Sequence, residues 1–210
     1  MNGTVDHLVY ACPDLDAAVE EIASATGVRA ASGGQHPGLG THNALLALGE
    51  RTYLEIIAPD PAQAGAMKPL PFGMDGLTAP ALRGWAVAPA DLDAAVRDAQ
   101  AAGYDYGDIA GSRRRTPDGS ELSWRMTSTS RSPVAGILPF LIDWCGGVHP
   151  ATGAPAGLRL AEFLLFAPDP EVVTARLRAL ELDVPVERAG QPALHAVLAA
   201  PDGKRVVLCS

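Results

Sequence analysis

Apolar and polar positions follow the same order three times along this chain. Residues 5–11 form an alternating, β-branched run that is typical of a strand. From Asp14 onward apolar residues recur at helical spacing, and an aspartate there is a favourable N-cap. The passage Asp-Leu-Asp-Ala-Ala-Val at 14–19 recurs unchanged at 91–96, and residues 161–173 carry a weaker echo. Because a repeat constrains the architecture, the sequence predicts one strand–helix–strands unit used three times.

The predicted fold class is α+β, with each unit arranged as β-α-β-β-β. Residues 33–40, rich in Gly and Pro, are predicted as a loop, and residues 113–119 as a turn-rich segment. Residues 59–80 are also rich in Pro and Gly and carry no period, which predicts either a linker or a lid. In chain order, strands are predicted at 5–11, 28–32, 42–48, 52–58, 82–87, 122–127, 137–144, 158–166, 184–188, 193–198 and 205–209, and helices begin at Asp14, Asp91 and Pro170.

Composition excludes several classes of function. The formal net charge is −8, whereas a nucleic-acid-binding protein needs a basic face. No apolar run approaches the roughly 20 residues of a membrane helix, and the N-terminus shows no signal-peptide pattern. The three cysteines have unrelated spacings, which fits reduced thiols. We therefore expect a cytoplasmic protein with a small-molecule partner and no nucleic-acid or membrane partner.

Two ionisable residues stand in the middle of apolar strands. His7 lies in the first predicted strand and Glu55 in the fourth. A carboxylate in such a run needs a partner, because burying an unpaired charge costs several kcal/mol. Two explanations stay open: the pair holds a divalent cation such as Zn, Mn, Fe or Ni, or the two side chains bind each other or face water.

Four short motifs resemble the glyoxalase-like domain branch of the vicinal oxygen chelate superfamily, which includes glyoxalase I, extradiol dioxygenases and bleomycin-resistance proteins. They are Asp-His-Leu-Val at 6–9, Gly-Thr-His-Asn-Ala-Leu at 40–45, Tyr-Leu-Glu at 53–55, and Pro-Phe through Trp to His-Pro at 139–150. The resemblance implies that two β-α-β-β-β units close into a cup of curved sheet. It also implies a domain at 4–150, built from units 4–60 and 81–147, with a third unit at 157–210.

In that superfamily, His and Glu at these two strand positions ligate a metal together with their counterparts in the partner unit. The resemblance therefore makes His7 and Glu55 candidate ligands, and Glu55 also a candidate catalytic base. In the second unit His7 matches Gly84 or Trp85, and Glu55 matches Ile142 or Asp143. In the third unit Glu162 occupies the position of His7. Adjacent units are favoured to pair, and the candidate metal ligands are His7, Glu55, Asp143 and Glu162.

Five further residues are candidates for contact with a substrate. Arginine offers a planar fork to carboxylates and phosphates, and tryptophan stacks on flat ligands. His36, by contrast, lies in the predicted loop and is expected to be exposed. The five candidates are Asn43, Trp85, Arg115, Trp144 and His149.

Two hypotheses for function follow. The first is a metal-dependent lyase, isomerase or dioxygenase acting on a small oxygen-rich substrate, with the cation as Lewis acid. The second is a metal-free protein that binds or sequesters a small molecule, favoured by the missing ligands at Gly84 or Trp85. The third unit adds a prediction about assembly, because an odd half-cup leaves a sheet face that a homodimer would cover.

Overall fold

The computed structural model describes residues 5–63, 68–128 and 136–210, and within them the strands form two separate sheets. Eight strands close into a barrel in the order β1-β4-β3-β2-β6-β7-β8-β5, and four form an outer sheet in the order β10-β9-β11-β12. The elements are β1 (Val5–Ala11), α1 (Leu15–Thr26), β2 (Ala31–His36), β3 (Thr41–Ala47), β4 (Tyr53–Pro59), β5 (Ala81–Val87), α2 (Leu92–Ala101), β6 (Ile109–Arg115), β7 (Glu121–Thr127), β8 (Phe140–Asp143), β9 (Arg159–Ala167), α3 (Pro170–Ala179), β10 (Val186–Arg188), β11 (Ala193–Ala199) and β12 (Arg205–Cys209).

Each of these three helices begins at an aspartate cap. The carboxylates of Asp14, Asp91 and Asp169 accept hydrogen bonds from backbone N–H groups three residues further on, at 3.0, 2.9 and 3.4 Å. Such caps satisfy donors that the first helical turn leaves free. Helix α1 ends at Gly27, whose φ of 74° is the left-handed conformation that glycine adopts readily. The predicted helix starts are confirmed.

The barrel closes at two seams between the first and second groups of strands. At one seam β1 pairs antiparallel with β5. At the other, β2 meets β6 through the register pair Gln35–Arg115. Gly34, with φ of 131°, allows that approach, since a Cβ there would clash with the carbonyl oxygen of Arg115. The prediction of a loop at 33–40 was wrong for residues 33–36. Gly33 and Gly34 belong to strand β2, which ends at His36.

A second correction concerns residues 113–119. The predicted turn-rich segment is a strand as far as Arg115, where β6 pairs with β7 before the turn begins. The sequence did not predict this strand, because its three consecutive arginines are not the β-branched or aromatic residues that are typical of strands.

The outer sheet packs against the outside of the barrel. The rings of Trp85 on β5 and Phe163 on β9 lie 5.1 Å apart in an edge-on contact. Alternation along β1 separates the two faces: Leu8 belongs to the outer apolar cluster and Val9 to the inner one. Strands β1–β4 therefore close a barrel with β5–β8, and strands β9–β12 form a sheet that covers this barrel from outside.

Part of the connector 59–80 packs against the barrel. Leu70 and Met74 are buried in the inner apolar cluster, and the ring of Phe72 lies 5.9 Å from that of Phe140. Residues 64–67 of the predicted linker or lid lie outside the described residues. None of the helices described here has the length and apolar character needed to cross a membrane.

Candidate functional site

The interior of the barrel contains a cavity of about 460 Å³, which is within the usual range for small-molecule sites. One part of its wall is aromatic and aliphatic, and the other part is polar. The apolar wall includes Tyr53, Phe72, Trp124, Phe140, Ile142 and Trp144, and the polar part includes His7, His36, Thr41, Asn43, Glu55 and Arg114.

A buried carboxylate holds the imidazole of His7 in place. Asp6 Oδ1 lies 2.7 Å from His7 Nδ1, and Asp6 Oδ2 accepts hydrogen bonds from Trp144 Nε1 and His149 Nε2, both at 3.0 Å. His149 Nδ1 accepts the N–H of Ala151, so Nε2 carries the proton that it donates to Asp6. Desolvation by burial opposes ionisation, but hydrogen bonds from His149, His7 and Trp144 outweigh it and lower the pKa of Asp6.

This network determines which nitrogen of His7 faces the cavity. Because Nδ1 points at an ionised carboxylate, it carries the proton in the neutral imidazole, and Nε2 is then a free acceptor. Nε2 lies 3.9 Å from Glu55 Oε2, too far for a direct hydrogen bond. His7 is thus oriented toward Glu55 without being hydrogen-bonded to it.

Glu55 is held from the opposite side. Its Oε1 accepts a hydrogen bond of 2.6 Å from Asn43 Nδ2, and His36 Nε2 lies 3.9 Å from the same oxygen. His36 Nδ1 lies 2.8 Å from Thr41 Oγ1. Burial lowers the pKa of His36, and the positive charge of Arg114 lowers it further against the opposing effect of Glu55. The expectation that His36 is exposed was wrong, because β2 carries it into the barrel.

Arg114, rather than the predicted Arg115, is the arginine that lines the cavity. Period-two alternation along β6 exposes Arg113 and Arg115 and turns Arg114 inward, where it is 7% exposed. Its Nη1 lies 3.4 Å from Asn43 Oδ1, a long hydrogen bond. Its Nε is buried with no hydrogen-bond partner in the described chain.

The structure brings four of the predicted site residues together. His7, Asn43, Glu55 and Trp144 all line the cavity. They come from β1, β3, β4 and the residue that follows β8. The strand spacing of the first unit thus places an imidazole, an amide and a carboxylate on one inner face.

The structure places the remaining predicted residues elsewhere. Trp85 is fully buried between barrel and outer sheet, where its Nε1 donates to the carbonyl of Ile137 at 2.9 Å. Arg115 is on the exposed side of β6. Glu162, on the outer sheet, is exposed and paired with Arg205, so it does not converge with His7.

Two other predicted residues lie near the cavity without lining it. Asp143 accepts the N–H of Cys145 at 2.8 Å and lies 3.9 Å from Arg125, while its neighbour Ile142 faces the interior. His149 supports Asp6 from behind, as part of the network that orients His7.

The donors do not match a metal centre shared between the two halves of the barrel. Within the described ranges, no three His, Cys, Asp or Glu side chains are grouped so that they could hold one ion. Among the residues that the sequence matched to His7 and Glu55, Ile142 lines the cavity and Gly84 lies against Phe72, and neither is a ligand. A Cβ at Gly84 would lie 3.2 Å from the ring of Phe72, so apolar atoms fill that side. His7 and Glu55 remain as a pair of donors.

Comparisons with known proteins agree with this architecture. A hypothetical protein from Staphylococcus aureus is similar in structure, with a TM-score of 0.62 and 15% identity over 97% of this chain and 84% of that chain. Methylmalonyl-CoA epimerase from Mycobacterium tuberculosis is similar with a TM-score of 0.43 and 22% identity, over 66% of this chain and 85% of that one. The first likeness shows the fold alone, and the second carries no argument. No curated protein matches the sequence significantly.

The family model described as a glyoxalase-like domain matches residues 5–181. That span includes the whole barrel and extends through β9 and α3. The chain therefore belongs to the glyoxalase-like domain family, within the vicinal oxygen chelate superfamily.

Proposed function

We propose that this protein binds a small organic molecule with a planar ring inside the barrel, and that binding does not require a metal ion. The observation that carries the proposal is the cavity itself, in which an aromatic wall faces a compact polar group. Pockets of this size with a few convergent polar groups are the usual sites of small ligands.

The aromatic wall would supply most of the contact area. The rings of Trp124 and Trp144 lie 5.5 Å apart, and those of Phe72 and Phe140 lie 5.9 Å apart. Flat rings therefore line the cavity from β7, from β8 and the residue after it, and from the connector 59–80. A planar ligand would stack on these rings or meet their edges. The polar part of the cavity, with acceptors at His7 and Glu55 and a donor at Arg114, would then contact its polar end.

A ligand screen by thermal shift tests this proposal. The probes are benzoate, 2-naphthoate and biphenyl-4-carboxylate together with their carboxamides, each with and without EDTA. We expect at least one probe to raise the melting temperature, and the increase to persist in EDTA and to shrink in Phe140→Ala, which removes part of the aromatic wall. If no probe binds, or if EDTA abolishes all binding, the proposal fails.

One observation favours a second candidate, a metal-dependent lyase, isomerase or dioxygenase. Metal-binding histidines commonly donate their second ring N–H to a carboxylate, as His7 does to Asp6. His7 and Glu55 would hold Zn, Ni, Mn or Fe, with remaining ligands from substrate and water, and the cation would supply Lewis-acid chemistry. Elemental analysis of protein purified without chelator tests it. Bound metal that His7→Ala removes would support it, and its absence together with no thermal shift from the four metals would reject it.

We further propose that residues 4–150 form the ligand-binding domain and that the unit at 157–210 stabilises it from outside. We also propose that the protein forms a homodimer through the outer sheet. Light scattering on the intact chain tests the homodimer: a dimer supports it, and a monomer at micromolar concentration rejects it.

A further inference from the structure

Arg114 is a buried cation with no carboxylate in direct contact among the described residues. Its hydrogen bond to Asn43 measures 3.4 Å and its Nε has none. Burial lowers the pKa of Arg114, and the opposing effects of Tyr53 and Glu55 do not offset it. Arginine keeps its charge in proteins and offers five N–H donors in a planar fork. A buried charge left in this condition is costly, so the guanidinium needs a partner that comes from outside the chain.

Asn43 explains why Glu55 is not that partner. The amide lies between the two: its Nδ2 donates to Glu55 Oε1 at 2.6 Å, and its Oδ1 faces Arg114 Nη1. Gly33 leaves room for this arrangement, because a Cβ there would clash with Asn43 Oδ1 and lie 2.8 Å from Arg114 Nη1. The amide thus keeps carboxylate and guanidinium apart, and the fork remains available to a ligand.

We infer that the ligand of this cavity is an aromatic carboxylate whose carboxylate group pairs with Arg114. This inference rests on the proposed function and adds the charge of the ligand to it. The guanidinium fork matches a carboxylate in geometry, and the rings of Trp124 and Phe140 in the same cavity match an aromatic body. Arg114 is then the residue that selects acids over neutral compounds of the same shape.

Calorimetric titration with 2-naphthoate, 2-naphthamide and 2-naphthyl phosphate tests the inference on the intact chain. In the wild type, naphthoate should bind about tenfold to hundredfold more tightly than the amide, as expected for a charge-assisted pair. Arg114→Met should remove that preference, because binding of the acid should weaken much more than binding of the amide. Arg114→Lys, which keeps the charge without the fork, should retain part of it.

Arg113→Gln is the matched control, because Arg113 is on the same strand and exposed, paired with Glu121 at 3.5 Å. It should bind all three probes as the wild type does. A melting temperature of Arg114→Met close to that of the wild type shows that the variant folds, and a circular dichroism spectrum checks it.

Each other outcome has a definite meaning. If acid and amide bind equally, or if the preference persists in Arg114→Met, the carboxylate assignment is overturned while the proposed binding function stands. Tighter binding of naphthyl phosphate than of naphthoate overturns the carboxylate in favour of a phosphate. If Arg114→Met unfolds the protein, and Arg114→Lys binds acid and amide equally, Arg114 is structural and the inference fails. If none of these probes nor those of the thermal-shift screen binds, the proposed function fails with it.

Discussion

Replacing Asp6 with asparagine tests the buried network that orients His7. Asp6 is 3% exposed and accepts hydrogen bonds from His7, Trp144 and His149. Hydrogen bonds to a charged acceptor are worth about 1.5–3 kcal/mol each. Asparagine keeps one carbonyl acceptor but turns an N–H₂ group toward the remaining donors. We expect Asp6→Asn to lower the free energy of unfolding by about 3–5 kcal/mol at pH 7, because at least two of these hydrogen bonds to a charged acceptor are lost.

The same network predicts how that loss depends on pH. Because hydrogen bonds lower the pKa of Asp6 in the folded protein, the unfolded chain takes up a proton first as the pH falls below about 3.8. Its stabilising contribution is therefore complete well above pH 3.8 and declines below it, by about 1.4 kcal/mol per pH unit. The difference in stability between wild type and Asp6→Asn should narrow over that range.

Urea unfolding followed by tryptophan fluorescence between pH 7 and pH 3 measures both effects. Asp98→Asn, at an exposed position on α2, is the control and should change the free energy of unfolding by less than about 0.5 kcal/mol. If Asp6→Asn costs less than 1 kcal/mol, or if its difference from wild type stays constant down to pH 3, the described network does not stabilise the fold as argued.

Three other substitutions test particular contacts. Gly33→Ala places a methyl group against Asn43, so we expect a loss of about 1–3 kcal/mol in unfolding free energy and weaker binding of 2-naphthoate by calorimetry. Trp85→Ala removes a fully buried ring that packs on Phe163, and chemical denaturation should show a loss of about 3–5 kcal/mol with no direct contact to the ligand removed. Glu162→Gln removes only an exposed ion pair, so stability should change by less than about 1 kcal/mol and metal content not at all.

The controls for these variants use exposed sites. Gly190 has open space where a Cβ would lie and is exposed, so Gly190→Ala should leave ligand binding unchanged. A Gly33→Ala protein as stable as the wild type, with unaltered binding, would contradict the close packing described around Asn43. A Trp85→Ala protein of normal stability would contradict the packing of the outer sheet on the barrel. Loss of metal in Glu162→Gln would place that residue at a metal site after all.

Local signals in the sequence were enough to predict where the helices begin and to predict most strands of the first unit. Asp14 and Asp91 cap their helices by accepting a backbone N–H three residues further on, so a short stretch of sequence is enough to predict them. Each is the first residue of one copy of the repeated passage at 14–19 and 91–96. His7 and Glu55 could be paired because an ionisable group in an apolar strand needs a partner, and the resemblance to a known family placed both on one inner face.

The remainder of the site depends on register and on distant partners. Trp85 and Gly84 differ by one position in β5, and that single step decides which faces Phe72 and which faces the outer sheet. Arg114 stands between two exposed arginines on a strand that the pattern did not predict. Asp6 gains its role from Trp144 and His149, which lie more than 130 residues further along the chain. No local pattern encodes such contacts.

A crystal structure of the protein grown with 2-naphthoate would test the central claim most directly. The account predicts electron density for the ring inside the barrel, against Trp124 and Phe140, with the carboxylate of the molecule toward Arg114. Density for the probe on the outside of the barrel, with the cavity holding only solvent at saturating concentration, would contradict it.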